Sequence, residues 1–240
     1  MGHRKGEKLH GTMKALCIIP ARGGSKRIPR KNIKPFMGKP IIAYSIGAAL
    51  KSGVFDEVMV STDDGEIADI ARQYGASVPF LRSAETSNDY ATTVDVLLEV
   101  IDRYKKNGKS FDMVCCLYST APFVTSERLK NAVDQITDEV DACFTIVQYS
   151  YPIQRSLRIN GDGCVEMKFP EHLKSRTQDL EKVFHDAGQF YFVRTDALCR
   201  EETVWCKRTR PLVLSELEVQ DLDTETDWQL AEMKYQLLKG

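Results

Sequence analysis

Two groups of residues in this 240-residue chain have the composition of a reactive site. The first is IIPARGGSKRIPRKN, Ile18 to Asn32, which runs from an apolar segment into two glycines ringed by Arg and Lys. Gly23 and Gly24 can take positive φ and let backbone N–H groups approach an anion closely, while Arg22, Lys26 and Lys31 add full charges. Such a loop suits a triphosphate. It matches neither G-x-x-x-x-G-K-[ST] nor G-x-G-x-x-G, and the competing reading is a turn with a solvated basic surface. The second group has the opposite sign. Between Pro211 and Met233 stand seven acidic residues and no Lys or Arg, centred on VQDLDT. Residues two apart on a strand share a face, so Asp221 and Asp223 can present both carboxylates to one site while Leu222 packs behind. Paired hard oxygen ligands that leave room for water and phosphate suit Mg²⁺. Alternatively, Asp223 or Thr224 simply caps the helix that follows. Taken together, a triphosphate cradle and an aspartate pair describe nucleotidyl transfer, in which metal and cations stabilise charge as pyrophosphate leaves. Asp63 and Asp64 form a rival acidic pair, but their place at the start of a helix predicts capping.

The charge is local. No Asp or Glu occurs from Lys8 to Phe55, yet the whole chain carries 33 basic and 34 acidic residues, a formal net charge of -1. That balance points to a discrete anionic ligand and away from nucleic acid or a membrane surface, which call for a broad basic face. No run approaches the roughly 18 to 20 apolar residues that span a bilayer, and MGHRKGEKLHGT has no apolar signal core, which predicts a cytoplasmic protein. Residues 1–12 are polar, precede the first periodic segment and read as a disordered tail. The seven cysteines contain no Cys-x-x-Cys pair and sit largely in apolar runs, as small hydrophobes of a reduced compartment do. Only His172 and His185 lie outside the tail, which excludes a histidine zinc site.

The elements that must position these residues alternate short apolar runs with helical patterns. Strands are predicted at Ala15–Pro20, Glu57–Thr62, Ser77–Leu81, Met113–Tyr118 and Ala142–Val147, and helices at Pro40–Ser52, Gly65–Tyr74, Ala91–Asn107 and Thr125–Ile136. The alternation predicts an α/β doubly wound sheet, which binds ligands at the carboxyl ends of its strands, and the basic loop follows the first of these. Over 148–183 the rhythm breaks, with prolines, Gly161 and Gly163, and reads as an inserted arm within a single domain spanning 13–240. Phe184–Val193 and Arg210–Val219 then return to the sheet, and Glu225–Leu238 forms the last helix.

The segments IIPARGGSKRIPRKNIKPFMGKP, VSTDD, FLR, SNDYATT, YSTAPF, HDAGQFYF and QDLDTETDW, in that order, resemble the CMP-sialic acid synthetase family, most of all its pseudaminic acid branch. The likeness runs from Met13 to Gly240. It implies a mostly parallel, Rossmann-like sheet of the nucleotide-diphospho-sugar transferase type, and a homodimer formed through the 148–183 arm. It also implies a Mg²⁺-dependent coupling of CMP, from CTP, to a nine-carbon keto sugar acid. By position, Arg22, Ser25 and Lys26 would face the CTP phosphates, Lys31 and Asn32 would reach the nucleotide, Arg82 and Thr93 would lie near the cytidine, and Asp221 and Asp223 would hold the metal. Tyr118, Thr120, His185, Asp186 and Gln189 would line the sugar site, with Arg22, Lys31 and Asp223 as the catalytic set. Tyr118, standing where sialic acid synthetases carry Gln, and the HDAGQF segment favour pseudaminic acid, although Ser119 replaces a proline of that branch. Phe190, Tyr191 and Phe192 read as core. The alternatives are N-acetylneuraminic, legionaminic or shorter keto-deoxy sugar acids as substrate, and a nucleotide-binding regulator without catalysis.

Overall fold

The computed structural model describes residues 13–239, so the tail predicted over 1–12 lies outside the described residues. Strand β1, Ala15–Pro20, is the hub of the sheet. Its alternate residues face opposite ways, Cys17 and Ile19 into one apolar cluster and Leu16 and Ile18 into another, as a strand covered on both faces requires. After it come a two-residue hairpin, β2 (Pro35–Phe36) with β3 (Lys39–Pro40), and helix α1 (Ile42–Ser52), which Gly53 ends in the left-handed conformation at φ 64°. Strand β4 (Glu57–Ser61) and helices α2 (Gly65–Gln73), α3 (Ala84–Ser87) and α4 (Thr93–Lys106) lead to β5 (Met113–Leu117), α5 (Ser126–Val133) and β6 (Ala142–Gln148). An inserted hairpin, β7 (Leu157–Ile159) with β8 (Val165–Met167), precedes β9 (Phe184–Arg194), α6 (Thr195–Glu201), β10 (Thr209–Leu214) and α7 (Glu225–Lys239).

The six long strands form one mixed, mostly parallel sheet in the order β10-β6-β9-β5-β1-β4. β1 runs parallel to β4 and β5, and β6 parallel to β10, while β9 is antiparallel to both its neighbours. The beginning of β9 therefore lies at the same edge as the carboxyl ends of the other five strands. Helices α1, α2 and α5 bury Ile42, Ile46, Ile67, Ala71 and Leu129 on one face, and α4 and α6 bury Leu97, Val100, Tyr104 and Leu198 on the other. Cys17, Cys115, Cys116 and Cys143 are buried in these layers, and burial pushes the Cys143 thiol up to about 12, so it stays protonated as core.

The structure departs from the expected elements at defined places. Ser77–Leu81 is not a strand: Ser77 makes a single bridge to Met59, and Pro79, with no N–H to donate, stops the ladder. The helix expected from Ala91 starts at Thr93, because Thr92 and Asp95 form a capping box. The last strand ends at Leu214, where Ser215 and Glu218 make a second capping box around a 3-10 turn at Glu216–Glu218. Among the described residues no helix is long and apolar enough to cross a membrane.

Candidate active site

The basic loop leaves β1 at Pro20 and is held from both sides. Ala21 N–H donates to the Ser61 carbonyl at 2.9 Å and Gly23 N–H to Asp63 Oδ1 at 2.9 Å, which ties the loop to the end of β4. Neither Gly23 nor Gly24 has positive φ, contrary to the expectation for this loop. Gly23 is needed for a different reason: a Cβ there would stand 2.7 Å from Asp64 Oδ2. Gly24 has open space. The Asp63–Asp64 pair likewise divides. Asp64 caps α2 through Ile67 N–H at 3.0 Å and binds Arg30, which holds its carboxyl below the usual range, whereas Asp63 holds the glycine loop instead of capping.

Asn32 braces the loop from within. Its Nδ2 donates to the Arg22 carbonyl at 2.8 Å, and its Oδ1 accepts from Ser119 Oγ at 2.8 Å. One amide proton and one lone pair remain for a ligand. Ser119, buried beside it, thereby links the loop after β1 to the loop after β5.

The acidic segment reaches this loop through Lys31 and Leu222. Lys31 Nζ donates to the Leu222 carbonyl at 2.7 Å, across 191 positions of sequence, and lies 3.9 Å from Asp223 Oδ1. Burial pushes Lys31 below the ordinary lysine range, a shift that Asp223 and Asp221 oppose. Leu222 is 2% exposed and shares a small core with Ile28 of the basic loop and with Phe36, Phe123 and Trp228. Residues 219–224 form a loop and not a strand, so Asp221 and Asp223 are displayed by the burial of Leu222 between them and not by sheet pleating. The choice between Asp223 and Thr224 as cap resolves in favour of Thr224. Its hydroxyl accepts from Asp227 N–H at 3.2 Å while Asp227 Oδ2 accepts from Thr224 N–H at 2.7 Å. Asp223 spends its carboxylate elsewhere, on Arg27 at 2.5 Å.

Between the basic loop and the start of α4 lies a cleft of about 410 Å³ that gathers Arg22, Ser25, Lys26, Lys31, Asn32, Arg82, Thr93 and Tyr118 from the expected set, while Asp221 and Asp223 are not among the residues that line it. It opens where the chain order reverses on either side of β1, toward β4 and toward β5, the position at which doubly wound sheets take ligands. Arg82 is fixed by the Ser61 carbonyl at 2.6 Å and the Ser61 hydroxyl at 3.1 Å. Thr93 Oγ1 lies 3.1 Å from the Tyr118 hydroxyl, which burial keeps protonated.

Residues not singled out at the sequence level also line or close the cleft. Arg27 is one. Asp89 is another: it accepts from Arg22 at 2.9 Å and Lys26 at 2.5 Å, and the Lys26 contact holds its carboxyl below the usual range. The SNDYATT segment held Asp89 in plain view, but nothing in its spacing tied it to a loop 63 positions earlier.

Of the sugar-side residues Tyr118 lines the cleft, whereas His185, Asp186 and Gln189 lie outside it, at the start of β9. There, two steps along β6, Phe144 to Ile146, are matched by five along β9, Tyr191 to Asp186, so the chain bulges with Gly188 at φ 60°. Asp186 Oδ1 accepts from Gly188 N–H at 2.8 Å, and Asp186 Oδ2 accepts from the Tyr191 hydroxyl. Gln189 is buried and donates to the Glu218 carbonyl, anchoring the turn that leads to the acidic loop. His185 is exposed, with Nδ1 2.9 Å from the Asp186 carbonyl oxygen and its ring 4.7 Å from Tyr149. Thr120 is half-buried in the loop after β5.

The chain matches known proteins along almost its whole length. A family model described as cytidylyltransferase matches residues 16–235. A pseudaminic acid cytidylyltransferase of Campylobacter jejuni subsp. jejuni serotype O:2 is 45% identical over 226 residues, 94% of this chain and 97% of the relative. A CMP-N,N'-diacetyllegionaminic acid synthase of Legionella pneumophila is 33% identical over 234 residues, 94% and 97% of the two chains. Among solved structures, CMP:2-keto-3-deoxy-manno-octonic acid synthetase complexed with CTP shares the fold, at TM-score 0.66 and 19% identity over 94% of this chain and 99% of that one. By the extent of the family match and the identity to its members, the chain belongs to the cytidylyltransferase family.

Proposed function

We propose that the enzyme transfers CMP from CTP to the anomeric hydroxyl of a nine-carbon keto sugar acid, pseudaminic acid, releasing pyrophosphate. The observation that carries this reading is the Lys31 bridge, which sets the basic loop, with its phosphate cations, against the acidic loop that carries the carboxylate pair. The choice of sugar is supported by the 45% identity to a pseudaminic acid cytidylyltransferase over 94% of the chain.

In this reading Arg22 and Lys26 receive the β- and γ-phosphates in place of Asp89, and Lys31 offsets charge on the departing pyrophosphate. Asn32, Arg82 and Thr93 orient the nucleoside, with Ser25 and the Gly23–Gly24 backbone closing over the phosphates. Among the described residues no three His, Cys, Asp or Glu side chains are grouped to hold a metal. Asp221 and Asp223 alone fit an ion that keeps waters and takes its remaining ligands from phosphate, which suits Mg²⁺. Arg27, 68% exposed on its pair with Asp223, is free to swing aside. The ion, when bound, lowers the pKa of the attacking hydroxyl and polarises the α-phosphorus, so the chain need supply no dedicated base. Tyr118, Thr120, His185, Asp186 and Gln189 face or frame the sugar acid. The exposed apolar residues of the 148–183 arm, Tyr151, Leu157, Ile159, Val165 and Leu173, are the surface for a second copy, giving a homodimer. A cytoplasmic setting belongs to this reading.

The test is pyrophosphate release from CTP and sugar acid with Mg²⁺ present or chelated, in wild type and Asp223→Asn. The expected result is release that needs all three components and falls at least a hundredfold in the variant, with an unchanged circular dichroism spectrum. Near-wild-type turnover by the variant in saturating Mg²⁺ would remove Asp223 from the metal site, and CTP binding without any release would favour the regulator reading.

A further inference from the structure

Tyr191 stands in a run of three aromatics on β9 whose flanking members, Phe190 and Phe192, are fully buried and carry no polar atom. Alternation places it on the other face of the sheet, where it is 5% exposed and packs edge-on against Tyr118 at 5.8 Å and tilted against Phe144 at 5.5 Å. Packing alone would be served equally by Phe. The hydroxyl instead leaves the core at one point, to donate to Asp186 Oδ2, and burial together with that carboxylate keeps the phenol protonated. On its other side its ring backs that of Tyr118, whose hydroxyl meets Thr93 Oγ1 at 3.1 Å. Thr93 and Tyr118 both line the nucleotide cleft, whereas Asp186 sits on the β9 bulge outside it. Hydroxyl and ring contacts thus lead from the nucleotide cleft to a half-buried carboxylate.

We infer that Tyr191 is a positioning residue for the sugar acid, holding the Asp186 carboxylate in one orientation through its hydroxyl and backing Tyr118 on the nucleotide side. The inference rests on the sugar-site reading above. Asp186 Oδ1 is fixed by Gly188 N–H and Oδ2 by Tyr191, and each oxygen keeps acceptor capacity for a hydroxyl or amide N–H of the sugar. With the Tyr191 hydroxyl removed, the carboxylate is free to rotate and must be ordered anew each time the sugar acid binds, a loss confined to sugar recognition.

The experiment is steady-state kinetics of the full chain with CTP, pseudaminic acid and Mg²⁺ for Tyr191→Phe, Asp186→Asn and the double variant. Tyr191→Phe should raise KM for the sugar acid about tenfold, the scale of one charge-assisted hydrogen bond, with KM for CTP within about twofold of wild type. The double variant should be no worse than Asp186→Asn alone, since both act through one carboxylate. If Asp186→Asn raises the sugar KM and Tyr191→Phe does not, or if the two effects multiply in the double variant, the positioning role is overturned while the sugar site stands. Parallel rises in both KM values with a lowered Tm would make Tyr191 a packing residue and overturn it as well. If neither single variant moves the sugar KM, the sugar-site reading itself falls, and Asp186→Asn reports this without touching the core.

Discussion

Asp89 shows what a single residue reveals about the resting site. It sits on Arg22 and Lys26, the two cations assigned to the phosphates, in the same charge relation that a phosphate would adopt. Exposed pairs of this kind are weak, so CTP with its greater charge displaces the carboxylate at little cost. Asp89→Asn should therefore lower KM for CTP, by no more than about fivefold, in initial-rate measurements at low salt. A rise of tenfold or more would mean that Asp89 contacts the substrate complex itself. Side-chain identities in the cleft were legible in the sequence because Arg, Lys and Asp state their chemistry by type. Partnerships were not: the bonds from Ser119 to Asn32 and from Tyr191 to Asp186 depend on a loop crossing and a β-bulge that no local spacing announces.

At the scale of elements, the acidic loop is positioned by anchors from four directions. Arg128 pairs with Glu218, Gln189 donates to the Glu218 carbonyl, Lys234 donates to the Val219 carbonyl at 2.7 Å, and Lys31 holds the Leu222 carbonyl. The apolar pin is Leu222 against Ile28, which joins the acidic loop to the basic one. Leu222→Ala should cost roughly 2–4 kcal/mol of stability by urea unfolding, as for other fully buried leucines. It should also lower turnover, because Asp221 and Asp223 lose their common support. Full activity with the same loss of stability would show that the carboxylates are placed by the ion pairs alone. Strands and long helices were readable from apolar periodicity, Ala15–Pro20 to the residue. The reading failed at Ser77–Leu81 and at residues 219–224, where Pro79 and a single buried leucine, not pattern, decide the conformation.

Across the whole molecule, the edge carrying the site is separated from the opposite edge, where Asp141 closes the sheet. Asp141 is buried at the start of β6 and takes a two-pronged bond from Arg208 at 2.6 and 2.8 Å, which holds its carboxyl below the usual range. A depressed carboxyl stabilises the fold fully above the ordinary Asp value of about 3.9, and that stabilisation is lost as pH falls through the depressed value. Asp141→Asn should lower Tm at pH 7 by a few degrees and flatten the fall of Tm in acid, with kinetic constants at pH 7 unchanged. An acid limb as steep as wild type would assign that titration to other carboxyls. In the proposed reaction a triphosphate, a metal ion and a sugar acid meet at one edge of one sheet, and CMP passes to pseudaminic acid. The most direct measurement is kcat/KM for pyrophosphate release from CTP with pseudaminic, legionaminic and N-acetylneuraminic acids and a shorter keto-deoxy sugar acid. A site that bonds particular hydroxyl and amide groups loses those partners when a stereocentre inverts, a cost of about 3 kcal/mol or a hundredfold. The predicted result is a preference of at least about a hundredfold for pseudaminic over N-acetylneuraminic acid, and equal or greater activity with any other acid of the panel would contradict it.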